Sequence, residues 1–299
     1  MRVSAVIETN GLTKQFGDLV AVNDLDLTVE RGECYSFLGR NGSGKSTTAR
    51  MLLGFIRPTS GSSSVLGGSG SDPAIRSRVG YLPGDLNLPR AMNGNDAFDF
   101  FGGLSGVADD PERADLVERF GLDPTRPFRD LSTGNRRKVG LVLAFMGDPE
   151  LLILDEPTSG LDPVLQEEFR DLLAERKRRG ATIWLTSHVM AEVERVADRV
   201  GLIRDGLMAR ELTMAEVESQ AASRIHLTFP EPVQPSAFDG VPDIADVSSQ
   251  DGAIVVHMNG PVAAMLTRAG ELGASGIETR RQDLDDVFLQ LFDAEAGDQ

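Results

Sequence analysis

Apolar and polar positions alternate with period two over residues 3–8 and 25–30, the spacing of strands with one face buried and one wet. Turn signals at Asn10-Gly11, Gly17-Asp18 and Arg31-Gly32 punctuate them, so residues 1–35 are expected to form antiparallel strands. The run Cys34-Tyr35-Ser36-Phe37-Leu38 predicts a buried strand, and Thr48-Ala49-Arg50-Met51-Leu52-Leu53 predicts the first turns of a helix. A Gly/Ser-rich stretch, 61–71, reads as a surface turn region. Helical spacing takes over between about residues 92 and 145, with candidates at 95–104, 111–120 and 136–145. Strands at 151–154, 182–186 and 199–204 then alternate with helices at 163–179 and 190–195. Such alternation predicts an α/β fold around a mainly parallel sheet covered on both faces.

After a short helix expected at 212–219, the composition shifts: Pro230, Pro232, Pro235 and Pro242 cluster between short strands at 224–229 and 253–258. Helical patterns follow at 261–272 and 283–292, so residues 222–299 read as a small α+β domain behind a larger one at 1–221. The chain of 299 residues is long enough for two such cores. A net charge of −16 argues against nonspecific binding to nucleic acid or to anionic lipid. Four lysines stand against 26 arginines, so each lysine draws notice. The single cysteine, Cys34, excludes an internal disulfide and, from its strand position, is expected to be a buried structural thiol. With no signal-peptide pattern and no apolar run near the roughly 18 residues that span a bilayer, the expectation is a cytosolic protein.

The candidate chemistry begins at Gly39-Arg40-Asn41-Gly42-Ser43-Gly44-Lys45-Ser46-Thr47, which fits the pattern G-x-x-x-x-G-K-[ST] between a strand and a helix. Glycines let the backbone wrap a polyphosphate with its N–H groups inward, and the helix N-terminus adds partial positive charge. Lys45 is placed to reach the β- and γ-phosphates and the Ser46 hydroxyl to ligate Mg²⁺. The apolar run Leu151-Leu152-Ile153-Leu154 ends in Asp155-Glu156-Pro157, a strand end that delivers two carboxylates where open α/β sheets bind ligands. Asp155 suits a metal contact and Glu156 the polarisation of an attacking water; the plain alternative is an acidic strand end that only starts a helix. Asp130-Leu131-Ser132-Thr133-Gly134-Asn135-Arg136-Arg137-Lys138 opens another helix, with Ser132 as either an ordinary cap or part of an anion site. His188, just past the strand at 182–186, is positioned to bond a γ-phosphate.

In order over residues 5–215, these segments resemble the ATP-binding cassette of ABC transporters. The resemblance implies a P-loop NTPase cassette with an antiparallel β subdomain and a helical subdomain at about 92–145, binding ATP and Mg²⁺. Gly39, Asn41, Gly42, Ser43, Gly44, Lys45, Ser46 and Thr47 match Walker A, and Leu151 to Glu156 match Walker B with its catalytic glutamate. Leu131 to Asn135 match the LSGGQ signature, with Thr133 and Asn135 departing from the usual residues. Ser159-Gly160-Leu161-Asp162 match the D-loop, His188 the switch histidine, and Phe16 the aromatic that stacks on adenine. The family further implies two cassettes paired head to tail, Ser132 of each closing on the other's γ-phosphate, with Gly134 beside it in the anion-binding cap. It implies a separate membrane permease, which would hold the chain at the cytoplasmic face.

One position departs from the pattern. After Val79-Gly80-Tyr81-Leu82-Pro83 the family carries a glutamine that touches metal and water; Gly84 stands there, followed by Asp85. The metal contact is left to water, to Asp85 or to Asn87, and the glycine is open to a second explanation, a positive φ. Leu284 to Leu291 resemble the ending of cassettes in the drug-, antibiotic- and polysaccharide-export branch. The expectation is thus an exporter's ATPase subunit. Two rivals are a cassette working without a permease, which usually carries paired cassettes or long coiled coils, and an ATP-binding switch with little hydrolysis.

Overall fold

The computed structural model describes residues 5–107, 110–220, 224–250, 252–258 and 260–280; the helix expected at 283–292 and the export-branch ending at 284–291 lie outside the described residues. The chain divides into two compact units, Met1–Met214 and Ala215–Gln299.

In chain order the first unit holds β1 (Ala5–Phe16), β2 (Leu19–Glu30), β3 (Cys34–Leu38), α1 (Lys45–Leu52), β4 (Ser60–Val65), α2 (Pro73–Arg76) and β5 (Val79–Leu82). There follow α3 (Gly94–Ser105), α4 (Arg113–Arg119), α5 (Thr133–Phe145), β6 (Leu151–Asp155), α6 (Pro163–Arg178), β7 (Thr182–Ser187), α7 (Met190–Val193), β8 (Arg199–Arg204) and β9 (Leu207–Thr213). The helix α8 (Met214–Gln220) comes next.

Six strands form one sheet in the order β5-β6-β7-β3-β8-β9, parallel except for β9. Every residue of β3, β6 and β7 is buried, as strands covered on both faces must be, and this is why they read as continuous runs. The smaller sheet, β2-β1-β4, is antiparallel. In β2 the alternation is real: Val22, Leu25, Leu27 and Val29 face a core shared with Phe37, Leu52 and Trp184.

The stretch expected as a surface turn is partly a strand. Ser60–Val65 pairs with β1 from Thr13 to Ile7, and serine side chains conceal the strand because exposed positions need no apolar residue. Gly61 is required there: a Cβ would lie 2.1 Å from the carbonyl oxygen of Gly11. The pattern also overlooked β9, although Asp205-Gly206, both at positive φ, is the two-residue turn that favours a hairpin. The expected helix at 212–219 therefore begins only at Met214.

The second unit is a four-stranded antiparallel sheet ordered β11 (Ile244–Gln250), β12 (Ala253–Met258), β10 (Arg224–Thr228) and β13 (Gly276–Arg280), with the helix α9 (Ala263–Glu271). Ile225, Leu227, Phe238, Ile254, Val256, Met258, Met265 and Ala269 form its core.

Candidate nucleotide site

The loop between β3 and α1 is shaped by glycines with no room to spare. Gly44 has φ 110°, and a Cβ there would lie 2.4 Å from the Ala21 carbonyl; on Gly39 it would lie 2.5 Å from that of Ile203. The loop curls around Lys45, only 5% exposed, whose Nζ donates to the carbonyls of Gly39 at 2.6 Å and Arg40 at 3.1 Å. The same ammonium lies 3.4 Å from Glu156 Oε1. Ser43 Oγ is buried with no hydrogen-bond partner, a costly state that an anionic oxygen in the loop would relieve. Ser46 and Thr47 are half-buried in the first turn of α1, while Asn41 and Gly42 are exposed.

At the end of β6, Asp155 is buried and Glu156 sits at φ 48°, a left-handed conformation that costs a glutamate about 1 kcal/mol. Thr186, paired with Asp155 across the sheet, fixes both residues. Its hydroxyl donates to Asp155 Oδ1 at 2.6 Å and accepts the Glu156 N–H at 3.0 Å. The second carboxylate oxygen, Glu156 Oε2, is 3.1 Å from His188 Nδ1. Lys45, Glu156 and His188 thus stand in a line, with Asp155 beside it.

Gly84 leans on this group. A Cβ on it would lie 3.0 Å from Asp155 Oδ2, and its φ is not positive. The second explanation for the glycine is thereby overturned: its backbone is not left-handed, and a side chain there would press on Asp155. Asp85 and Asn87 are exposed. Burial pushes the neighbouring Tyr81 phenol up to about 12, with the charge of Asp155 adding to the shift.

Arg137 closes the site from behind. It is 5% exposed and donates to the carbonyls of Pro83, Gly84, Asp155, Glu156 and Pro157. Burial pulls its guanidinium pKa down, while Asp155, Glu156 and Asp85 oppose that shift.

Other expected site residues stand apart from this cluster. Ser132 is exposed and caps α5 by accepting the Asn135 N–H at 3.3 Å; among the described residues it makes no hydrogen bond to the phosphate loop. A Cβ on Gly134 would lie 3.0 Å from the Gly160 carbonyl, so α5 opens against the 159–162 loop. Phe16, 47% exposed at the end of β1, has the Lys14 ammonium 4.9 Å from its ring centroid.

Sequence reasoning gave no role to Thr186 or Arg137. For Thr186 the only signal was a hydroxyl on a buried strand. For Arg137 it was a cation heading the apolar i, i+4, i+7 face of Leu141 and Ala144, all three buried.

The sequence profile of the family described as "ABC transporter" matches residues 22–159. Over 301 residues the chain is 30% identical to a bacitracin transport ATP-binding protein of Enterococcus faecalis, covering 97% of each. The chain belongs to the ATP-binding subunits of ABC transporters. It is also 33% identical over 305 residues to a Nod factor export ATP-binding protein of Cupriavidus pinatubonensis, covering 99% of this chain and 93% of that one. A solved ATP-binding subunit of an ABC transporter superposes with a TM-score of 0.66 at 26% identity, over 72% of this chain and 92% of that one. A dimeric cassette in a post-hydrolysis state with ADP and phosphate, at 20% identity and a TM-score of 0.61, shares the fold. As an ABC subunit the chain binds ATP and is an ATPase. Among the described residues, no helix is long and apolar enough to cross a membrane.

Proposed function

We propose that this ABC subunit drives export through a separate membrane permease, working as a head-to-tail homodimer at the cytoplasmic face. The class of cargo is drug, antibiotic or polysaccharide; among its relatives one serves bacitracin transport and another Nod factor export. Residues 222–299 form an accessory domain of the cassette at 1–221.

The line from Lys45 through Glu156 to His188 carries this reading. With ATP in the loop, phosphate oxygens take the place of the carbonyl and carboxylate partners of Lys45, and the Ser43 hydroxyl gains an acceptor. Glu156, released from the ammonium, accepts a hydrogen bond from water and orients it at the γ-phosphorus. A bond forms from the water oxygen to phosphorus as the bond to the β–γ bridging oxygen breaks, giving ADP and phosphate. His188 holds the far side of the carboxylate and reaches the γ-phosphate. Phe16 stacks on adenine, and Ser132 with Gly134 closes on the nucleotide of the second copy. The residues fit a hard divalent cation: Thr186 engages Oδ1 of Asp155, and Gly84 keeps side-chain bulk away from Oδ2. Asp155 and the Ser46 hydroxyl would hold Mg²⁺, which neutralises phosphate charge when bound.

Lys45→Ala tests the site. ATP binding and turnover are expected to be lost while the far-ultraviolet circular dichroism is unchanged, because Lys45, although buried, is not part of the apolar core cluster. Wild-type turnover in that variant overturns the assignment. Faster turnover of the native chain with the permease present supports the coupling, and indifference to it contradicts it.

A further inference from the structure

Among the described residues two arginines are almost wholly buried, and they are used differently. Arg176, 1% exposed, is neutralised by two carboxylates, Glu112 and Asp148, each 2.5 Å away. Arg137, 5% exposed, makes no hydrogen bond to a carboxylate among the described residues; its donors go to main-chain carbonyls. A guanidinium has five N–H groups in a fixed planar fork, and here all five are committed. Nη1 reaches Pro83 at 2.7 Å and Gly84 at 3.0 Å, Nη2 reaches Asp155 at 2.7 Å and Glu156, and Nε reaches Pro157 at 3.3 Å.

These carbonyls belong to two separate loops, the one leaving β5 and the one leaving β6. The first puts Gly84 against Asp155 Oδ2, so it has no side chain of its own to fasten it there. The second carries Glu156 in its left-handed conformation. The Glu156 N–H is held by Thr186 and its C=O by Arg137, so the strained residue is pinned on both sides. The third body is α5 itself. Arg137 stands five residues into the stretch that Ser132 caps, within one continuous helix.

We propose that Arg137 is a positioning residue that makes the Gly84 loop, the Glu156 loop and the helix headed by Ser132 move as one piece, so that nucleotide bound in one copy sets the serine that copy offers to the other. This rests on the head-to-tail reading above. Main-chain fastening by Arg137 replaces a side-chain link from the β5 loop, which glycine cannot make. Lysine cannot reproduce the arrangement, because an ammonium has three donors and no planar fork.

The test uses the full chain and two readouts. Arg137→Gln is expected to keep the Kd for a fluorescent ATP analogue within about twofold while kcat falls at least tenfold. In a Glu156→Gln background, where ATP-dependent dimers are expected to accumulate, light scattering should show the ATP midpoint for dimer formation raised at least tenfold by Arg137→Gln. Arg137→Lys should lie between, and it supplies the same two readouts if the glutamine variant does not fold. If Glu156→Gln alone binds ATP and stays monomeric, the head-to-tail reading fails and this inference fails with it. If Glu156→Gln dimerises and the Arg137 variants leave the midpoint and kcat unchanged, or weaken Kd in step with kcat, the inference alone is overturned.

Discussion

Within Met1–Met214 the interior holds Lys45, Arg137, Asp155, Thr186 and Ser187 among the leucines and valines, whereas the core cluster of Ala215–Gln299 is apolar throughout. Every buried polar or charged residue among the described ones lies in the first unit. Burying such groups costs about 1–3 kcal/mol each when they are unpartnered, so packing alone does not collect them. In the first unit Asp155, Thr186 and Ser187 lie at the end of the sheet where β3, β6 and β7 terminate in Leu38, Asp155 and Ser187. Ser43 and Lys45 are in the loop that follows β3, whereas Glu33 and Thr182 lie at the opposite end. The second unit is explained by hydrophobic burial without appeal to any ligand. The difference is that the first interior holds polar groups that packing does not call for, and the core cluster of the second does not.

Removing a polar group from the first interior should therefore damage turnover out of proportion to stability. Thr186→Val deletes the hydroxyl that orders both Asp155 and Glu156 at nearly constant volume. The loss expected is about 2 kcal/mol in stability and about tenfold in kcat, with a raised Mg²⁺ requirement read by metal titration. A valine variant with unchanged kcat would mean that the clamp is only structural. A change in the second interior should do the reverse. Phe238→Ala is expected to destabilise its own unit by about 3–5 kcal/mol, seen as a lowered calorimetric transition, with ATP Kd and basal kcat unaltered. A fall in basal turnover there would break the contrast between the two units.

Much of this was legible in the sequence wherever the determining partners are local. The phosphate loop carries its own glycines, β6 announces itself by an unbroken apolar run, and β2 alternates because one face is wet. Positions that answer to distant backbone were silent. Ser60–Val65 becomes a strand only because β1 offers an edge. Gly84 lies against Asp155, and nothing near Gly84 in the chain says so. Arg137 reads as one more basic residue after a helix cap until the carbonyls of Pro83 and Pro157 are found against it. The hairpin at Asp205-Gly206 was readable from its turn residues, but its flanking strand β9 buries only Leu212 and lacks a strong apolar pattern.

Binding and hydrolysis of ATP are expected to be separable, with Lys45 and its loop responsible for the first and Glu156 for the second. Glu156→Gln preserves shape and removes the charge that polarises water. Measured together on the purified chain, ATP affinity should stay within about threefold of wild type while steady-state turnover falls at least a hundredfold. Turnover that survives in Glu156→Gln, or affinity that collapses with it, would contradict the account.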